Sequence, residues 1–132
     1  MTGPASVTGS AAVTGAVAGV DATWTEVCSV ADIPAEGGVA ALVAGEPVAV
    51  FRTHDDEVHA ISNVDPFSGA SVLSRGIVGS RGDVPVVSSP MYKQAFDLRT
   101  GRCLDDDAAV VAAYVAAVVS GRVLVGPVKE SP

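Results

Sequence analysis

Few residues of this 132-residue chain carry chemistry on their own. It has two cysteines, Cys28 and Cys103, and two histidines, His54 and His59. Two thiols cannot build a four-thiolate metal site or a disulfide-rich scaffold. They read as buried thiols of a reducing compartment. The run His54-Asp55-Asp56-Glu57-Val58-His59 holds several metal-ligand types. Consecutive acids in a turn are ordinarily just solvated, however, and His59 falls inside an expected strand. Asp105-Asp106-Asp107 reads as an exposed loop, and Arg81-Gly82-Asp83 as a plain turn. Tyr92-Lys93 lacks the Tyr-x-x-x-Lys spacing of a dehydrogenase pair. Residues 76–82 lack the Gly-Lys-Ser/Thr ending of a phosphate loop. Neither histidine stands near a serine in a recognisable nucleophile elbow. No catalytic constellation is assembled by residue type and spacing.

The elements that would position these groups read as short strands. Hydrophobic residues make up 48% of the chain but aromatics only 5%, so the core must be built from Val, Ala, Leu and Ile. The folded part starts near Trp24. Residues 39–43 and 47–52 are apolar runs around Ala44-Gly45-Glu46 and read as a hairpin. Residues 53–57 are turn-like and 58–62 form a further strand. Residues 84–88 and 95–98 are two more, separated by Pro90. Residues 99–102 make a turn ahead of Cys103-Leu104. Residues 108–119 mix helix-favouring Ala with strand-favouring Val. The Ser120-Gly121 turn and the run 122–125 tip them toward a closing hairpin. This rhythm of strands and Gly-containing turns predicts an all-β sandwich or barrel. Residues 63–82 show little strand signal and read as a long functional loop.

The length is that of one domain. Residues 1–22 are almost all Ala, Gly, Val, Thr and Ser, with no basic residue. They lack the basic start and unbroken apolar centre of a secretory signal and read as a flexible tail. The domain is placed at 23–128, with 129–132 as a short C-terminal tail. No apolar run reaches the length of a transmembrane helix. The net charge is −7, which argues against a nucleic-acid-binding role. Charge is uneven. Residues 21–65 sum to −8, whereas residues 75–102 sum to +3. That basic zone is either ordinary solvated loop charge or a docking surface for an acidic partner.

Two segments then become specific. The first is AISNVDPFSGASVLSRG at 60–76; the second is VSSPMYKQAFDLRTGRCL at 87–104. The pair resembles the two cluster loops of Rieske ferredoxins, which carry Cys-x-His and Cys-x-x-His and are followed by a Phe-Asp-Leu-x-Thr-Gly-x-Cys-Leu strand. Here Asp65 and Phe67 stand at the first pair of ligand positions, and Ser89 and Tyr92 at the second. A Rieske centre needs two thiolates on one iron and two imidazoles on the other. Phe67 has no donor atom. Ser89 and Tyr92 offer hard hydroxyl oxygens that suit a sulfide-bridged iron pair poorly. The resemblance implies the scaffold without the cluster.

The strings ISNVDPF, SVLSRG and SPMYK narrow the likeness. They resemble the small subunit of the assimilatory NAD(P)H-dependent nitrite reductase, over residues 24–125. This resemblance implies a Rieske-like antiparallel β-sandwich or barrel, with two inserted loops in place of the cluster-binding subdomain. It implies a cytoplasmic, non-catalytic subunit that holds no metal or cofactor of its own. The implied partner is the large subunit, which carries FAD, siroheme and a 4Fe–4S cluster and reduces nitrite to ammonium in nitrate assimilation. On this reading Phe67, Met91 and Tyr92 fill the vacated cluster space as an apolar plug. Asp65 and Ser89 bond to the loop backbones. Arg75, Arg81, Met91, Lys93 and Arg99 form the docking face. The alternatives are a Rieske-type ferredoxin electron carrier, or a stand-alone β-sandwich protein-binding module.

Overall fold

The computed structural model describes residues 24–129. The expected tail at 1–22 lies outside them. Nine strands follow one another: β1 (Thr25–Ser29), β2 (Gly37–Val43), β3 (Glu46–Arg52), β4 (Val58–Ser62), β5 (Ile77–Arg81), β6 (Val84–Ser88), β7 (Ala95–Asp97), β8 (Ala113–Val119) and β9 (Arg122–Val128). Two single 3-10 turns interrupt them, at Val30–Asp32 and Leu73–Arg75. Six strands form one antiparallel sheet in the order β1-β9-β8-β4-β3-β2. The other three form a small sheet, β5-β6-β7. The all-β expectation is met.

The hairpins follow from turn chemistry. Ala44 and Gly45 both take positive φ, 53° and 82°, between the paired ends Val43 and Glu46. Ser120 and Gly121 do the same, at 51° and 78°, between Val119 and Arg122. Two consecutive left-handed residues match the right-handed twist of the strands they join.

Strand alternation decides where the core sits. On β3, Val48 and Val50 face one cluster, with Val58, Ala60, Tyr114, Ala116, Val118, Val123 and Val125. Ala49 and Phe51 face a second cluster, with Ile61, Leu73, Val87, Phe96 and Leu98. Successive side chains of a strand point to opposite faces, so β3 is buried on both. The first cluster is the interior of the large sheet. The second glues the small sheet to its back.

Phe51 is, with Phe96, one of the two bulkiest side chains at that junction, and it is fully buried. Its cross-strand partner is Gly38. A Cβ on Gly38 would lie 2.6 Å from the Phe51 ring. The missing side chain lets the ring lie across β2, beneath the 3-10 turn at Leu73–Arg75.

Two sequence expectations need correction. The 63–82 stretch is not one loop, because its last part is β5, paired along its length with β6. The two special loops are therefore mounted partly on a formed three-stranded sheet. Within 108–119, strand begins only at Ala113. Lys129, placed by sequence in the terminal tail, donates its amide to the Ala113 carbonyl at 2.7 Å.

Candidate functional site

The two loops that sequence singled out meet in the structure. The first begins where β4 ends. Asn63, buried there, accepts the Leu73 amide on its carbonyl at 3.0 Å and the Ser74 amide on Oδ1 at 2.7 Å. One residue, through its backbone carbonyl and its side chain, thus pins the far end of the loop back to its start. The second loop joins β6 to β7.

Both loops fold by one hydrogen-bond pattern. In the first, the Asp65 amide donates to Ala70 O at 2.9 Å and the Gly69 amide to Asp65 O at 2.7 Å. In the second, the Ser89 amide donates to Gln94 O at 2.9 Å and the Lys93 amide to Ser89 O at 3.0 Å. The fifth residue of each turn is left-handed, Gly69 at φ 77° and Lys93 at φ 70°. The side chain of each first residue accepts the amide two positions on: Phe67 N to Asp65 Oδ1 at 2.7 Å, and Met91 N to Ser89 Oγ at 3.1 Å. Short polar side chains do this readily, which is why Asp and Ser suit the position.

The turns are then tied to each other. The Ser89 hydroxyl donates to Asp65 Oδ2 at 2.5 Å, and both residues are fully buried. Asp65 thus spends one oxygen on its own loop and the other on the neighbouring loop.

The apolar plug expected from sequence does not form. Phe67 is 36% exposed, Met91 48% and Tyr92 56%. Only Phe67 leans inward, its ring centroid 6.3 Å from that of Phe96. Pro66 and Pro90 are exposed beside them. The loop tips therefore present apolar surface to solvent from a rigid base.

The expected docking cations separate into two groups. Arg81 holds Asp105 through two bonds, Nη1 to Oδ1 at 2.9 Å and Nη2 to Oδ2 at 3.1 Å. Arg99 holds Asp97 likewise, Nε to Oδ1 at 3.1 Å and Nη2 to Oδ2 at 3.2 Å. Burial works against ionisation of Asp97. The bonds and charge from Arg99 outweigh it and hold the carboxyl below its usual range. These two arginines each hold a carboxylate of the same chain. Arg75 and Lys93 are exposed and form no ion pair among the described residues. They flank the tips, one at the foot of each loop.

Sequence reasoning missed Asn63 and Asp105. Asp105 also accepts the Ala95 amide at 2.8 Å, where the second loop enters β7. Both make contacts to residues ten or more positions away, so neither had a local signal. The two histidines do not converge. His59 is buried against Glu57, Nε2 to Oε1 at 3.3 Å, while His54 is exposed. No group of three or more His, Cys, Asp or Glu suited to a metal ion occurs among the described residues.

Residues 23–126 match the family of Rieske-like [2Fe-2S] domains. The chain is 46% identical over 101 residues to the nitrite reductase (NADH) small subunit of Escherichia coli K12, covering 76% of this chain and 94% of that one. It is similar to the solution structure of the nitrite reductase [NAD(P)H] small subunit from Erwinia carotovora, with a TM-score of 0.70 and 47% identity. That likeness covers 84% of this chain and 86% of the other. A segment of the Klebsiella oxytoca nitrite reductase [NAD(P)H] large subunit is 41% identical over 103 residues, 78% of this chain and 11% of that polypeptide. The donor set here does not fit the [2Fe-2S] group that the domain family is described by. Asp65 and Ser89 are committed to each other, Phe67 has no donor, and Tyr92 is an exposed phenol.

Proposed function

This chain belongs to the nitrite reductase small subunits, a branch of the Rieske-like domains, and on that premise we propose that it is the non-catalytic partner of a nitrite reductase large subunit. The large subunit would supply FAD, siroheme and a 4Fe–4S cluster and carry electrons from NAD(P)H to nitrite. The six-electron reduction to ammonium would proceed in the cytoplasm, as part of nitrate assimilation. Reduction of that kind needs redox centres, and this chain brings two thiols that lie in different parts of the fold.

One observation carries the reading. The loop tips offer Pro66, Phe67, Pro90, Met91 and Tyr92 to solvent, on turns locked by Asp65 and Ser89. Apolar surface held rigid and rimmed by charge is what a protein interface requires. A preorganised tip loses little entropy on docking. Arg75 and Lys93 at its edge would steer it toward an acidic rim on the partner. The Klebsiella polypeptide supports a one-to-one arrangement, because there one such segment belongs to the large chain itself.

The direct test is nitrite-dependent oxidation of NAD(P)H by purified large subunit, with and without this chain. Activity that rises with added chain and saturates at equimolar ratio is expected. Equal activity without it, together with no complex on gel filtration, would remove the reading.

A further inference from the structure

A second feature lies apart from the loop tips. The turn after β7, the segment leading into β8 and the end of β9 enclose a cleft of ≈ 480 Å³. That volume suits a small organic molecule rather than a lone inorganic ion. Arg99, Arg102 and Lys129 line it, with Thr100 and a single acid, Asp107. The whole chain has eight Lys and Arg against fifteen acids. Three of those eight bases converge on one cavity of an acidic protein; Arg99 is paired with Asp97, and Arg102 and Lys129 outnumber the one acid of the lining, Asp107.

The cations are held in place. Arg99 is fixed by its fork on Asp97. Lys129 Nζ donates to the Arg99 carbonyl at 3.0 Å. The backbone of Arg102 bridges Val110, and its guanidinium has no ion pair among the described residues. An unpaired guanidinium offers a planar fork that fits phosphate oxygens. The rest of the lining includes apolar residues, Val110, Val111 and Val128 among them. Val110 is 61% exposed and Val128 53%, among the most exposed large hydrophobics of the described residues.

We propose that this cleft binds a phosphate monoester with an apolar or aromatic body. Arg102 and Lys129 take the phosphate, Thr100 lends a hydroxyl, and Val110 and Val128 take the body. The site shares no residue with the loop tips and does not depend on the subunit reading above.

The test is an NMR titration of the full-length chain at constant ionic strength, using AMP, inorganic phosphate and adenosine as probes. AMP is expected to give saturable amide shifts at 99–102, 110–113 and 128–129, with a millimolar or tighter Kd. Phosphate should bind more weakly, and adenosine should leave those amides unmoved. Arg102→Glu and Lys129→Glu should each weaken AMP at least about tenfold. Both lie at the surface, so an otherwise unchanged spectrum verifies folding. No saturable shift with AMP, an equal response to adenosine, or an unchanged Kd in Arg102→Glu overturns the proposal. Equal affinity for AMP and phosphate removes the valine wall from it.

Discussion

Asp65 and Ser89 hold the same place in two turns of one hydrogen-bond pattern, and the Ser89 hydroxyl closes the gap by donating to the Asp65 carboxylate. These are the two positions where the Rieske resemblance puts thiolates. A hydrogen bond between buried side chains does here what a shared metal cluster would do, holding two loops at fixed separation.

That bond has a measurable weight. Ser89→Ala removes the donor and leaves a buried carboxylate oxygen without it. Bonds to charged groups contribute about 1.5–3 kcal/mol, so a loss of that size is expected in urea denaturation. Asp65→Ala should cost at least as much, and the double variant less than the sum of the two. A Ser89→Ala protein with the wild-type midpoint would show that the loops hold without the bridge.

The donor chemistry predicts a colourless protein. Iron and acid-labile sulfide should be far below cluster stoichiometry even after expression with iron–sulfur assembly factors. A stoichiometric [2Fe–2S] content with a Rieske-type EPR signal would refute the account of Asp65, Phe67, Ser89 and Tyr92.

Reversing Arg75 and Lys93 to Glu together should weaken association with the large subunit about tenfold or more. The effect should fall mainly on the association rate and shrink with added salt. Arg81→Glu should behave differently, because Arg81 is engaged with Asp105. It should disturb the entry to β7 rather than the affinity. Surface plasmon resonance at two ionic strengths separates the cases; equal loss from both kinds of variant would remove the distinction.

His59 makes stability depend on pH. Burial depresses its pKa and the Glu57 carboxylate only partly restores it; Asp55 also favours the charged form, and Lys129 opposes it. The unfolded imidazole titrates near about 6.5. Below that pH the unfolded chain binds a proton that the folded chain resists, so stability is complete above it and declines as pH falls toward the folded value. Urea midpoints should drop between pH 7.5 and 5.5, and His59→Gln should flatten that drop. An identical slope in the variant would assign it to other groups.

Gly101 closes the turn after β7 at φ 80°, and a Cβ there would lie 2.0 Å from the Val111 carbonyl oxygen. Gly101→Ala must adopt a left-handed backbone and push Val111 away. A loss of at least about 2 kcal/mol is expected in thermal or urea unfolding, well above the cost of a tolerated glycine change. A near-neutral result would mean that the 107–113 segment gives way freely.

Much of the fold was readable from local signals. Ala44-Gly45 and Ser120-Gly121 marked their hairpins because left-handed turn residues are a local requirement. Strand β5 was hidden, because Ile77-Val78-Gly79-Ser80-Arg81 has only two apolar residues and owes its extended form to pairing with β6. The loops were legible as positions but not as contacts. Asp65 and Ser89 are 24 residues apart, and no periodicity announces their bond. Met91 and Tyr92 were read as filler because they stand where the Rieske resemblance leaves the cluster space vacant. Here both are exposed, on the turn whose first residue, Ser89, bonds Asp65. Arg81 and Arg99 looked like free charge because their partners, Asp105 and Asp97, were visible only as members of a turn and a strand.

The first and last strands are neighbours, with Thr25 opposite Val125. Polypeptide therefore enters and leaves the domain at adjoining points on one sheet edge. A cassette wired this way can be spliced into a longer protein with two short joints and no rethreading, which matches its appearance as a minor fraction of a Klebsiella large subunit. It also recommends that edge for a covalent tether when fused complexes are built.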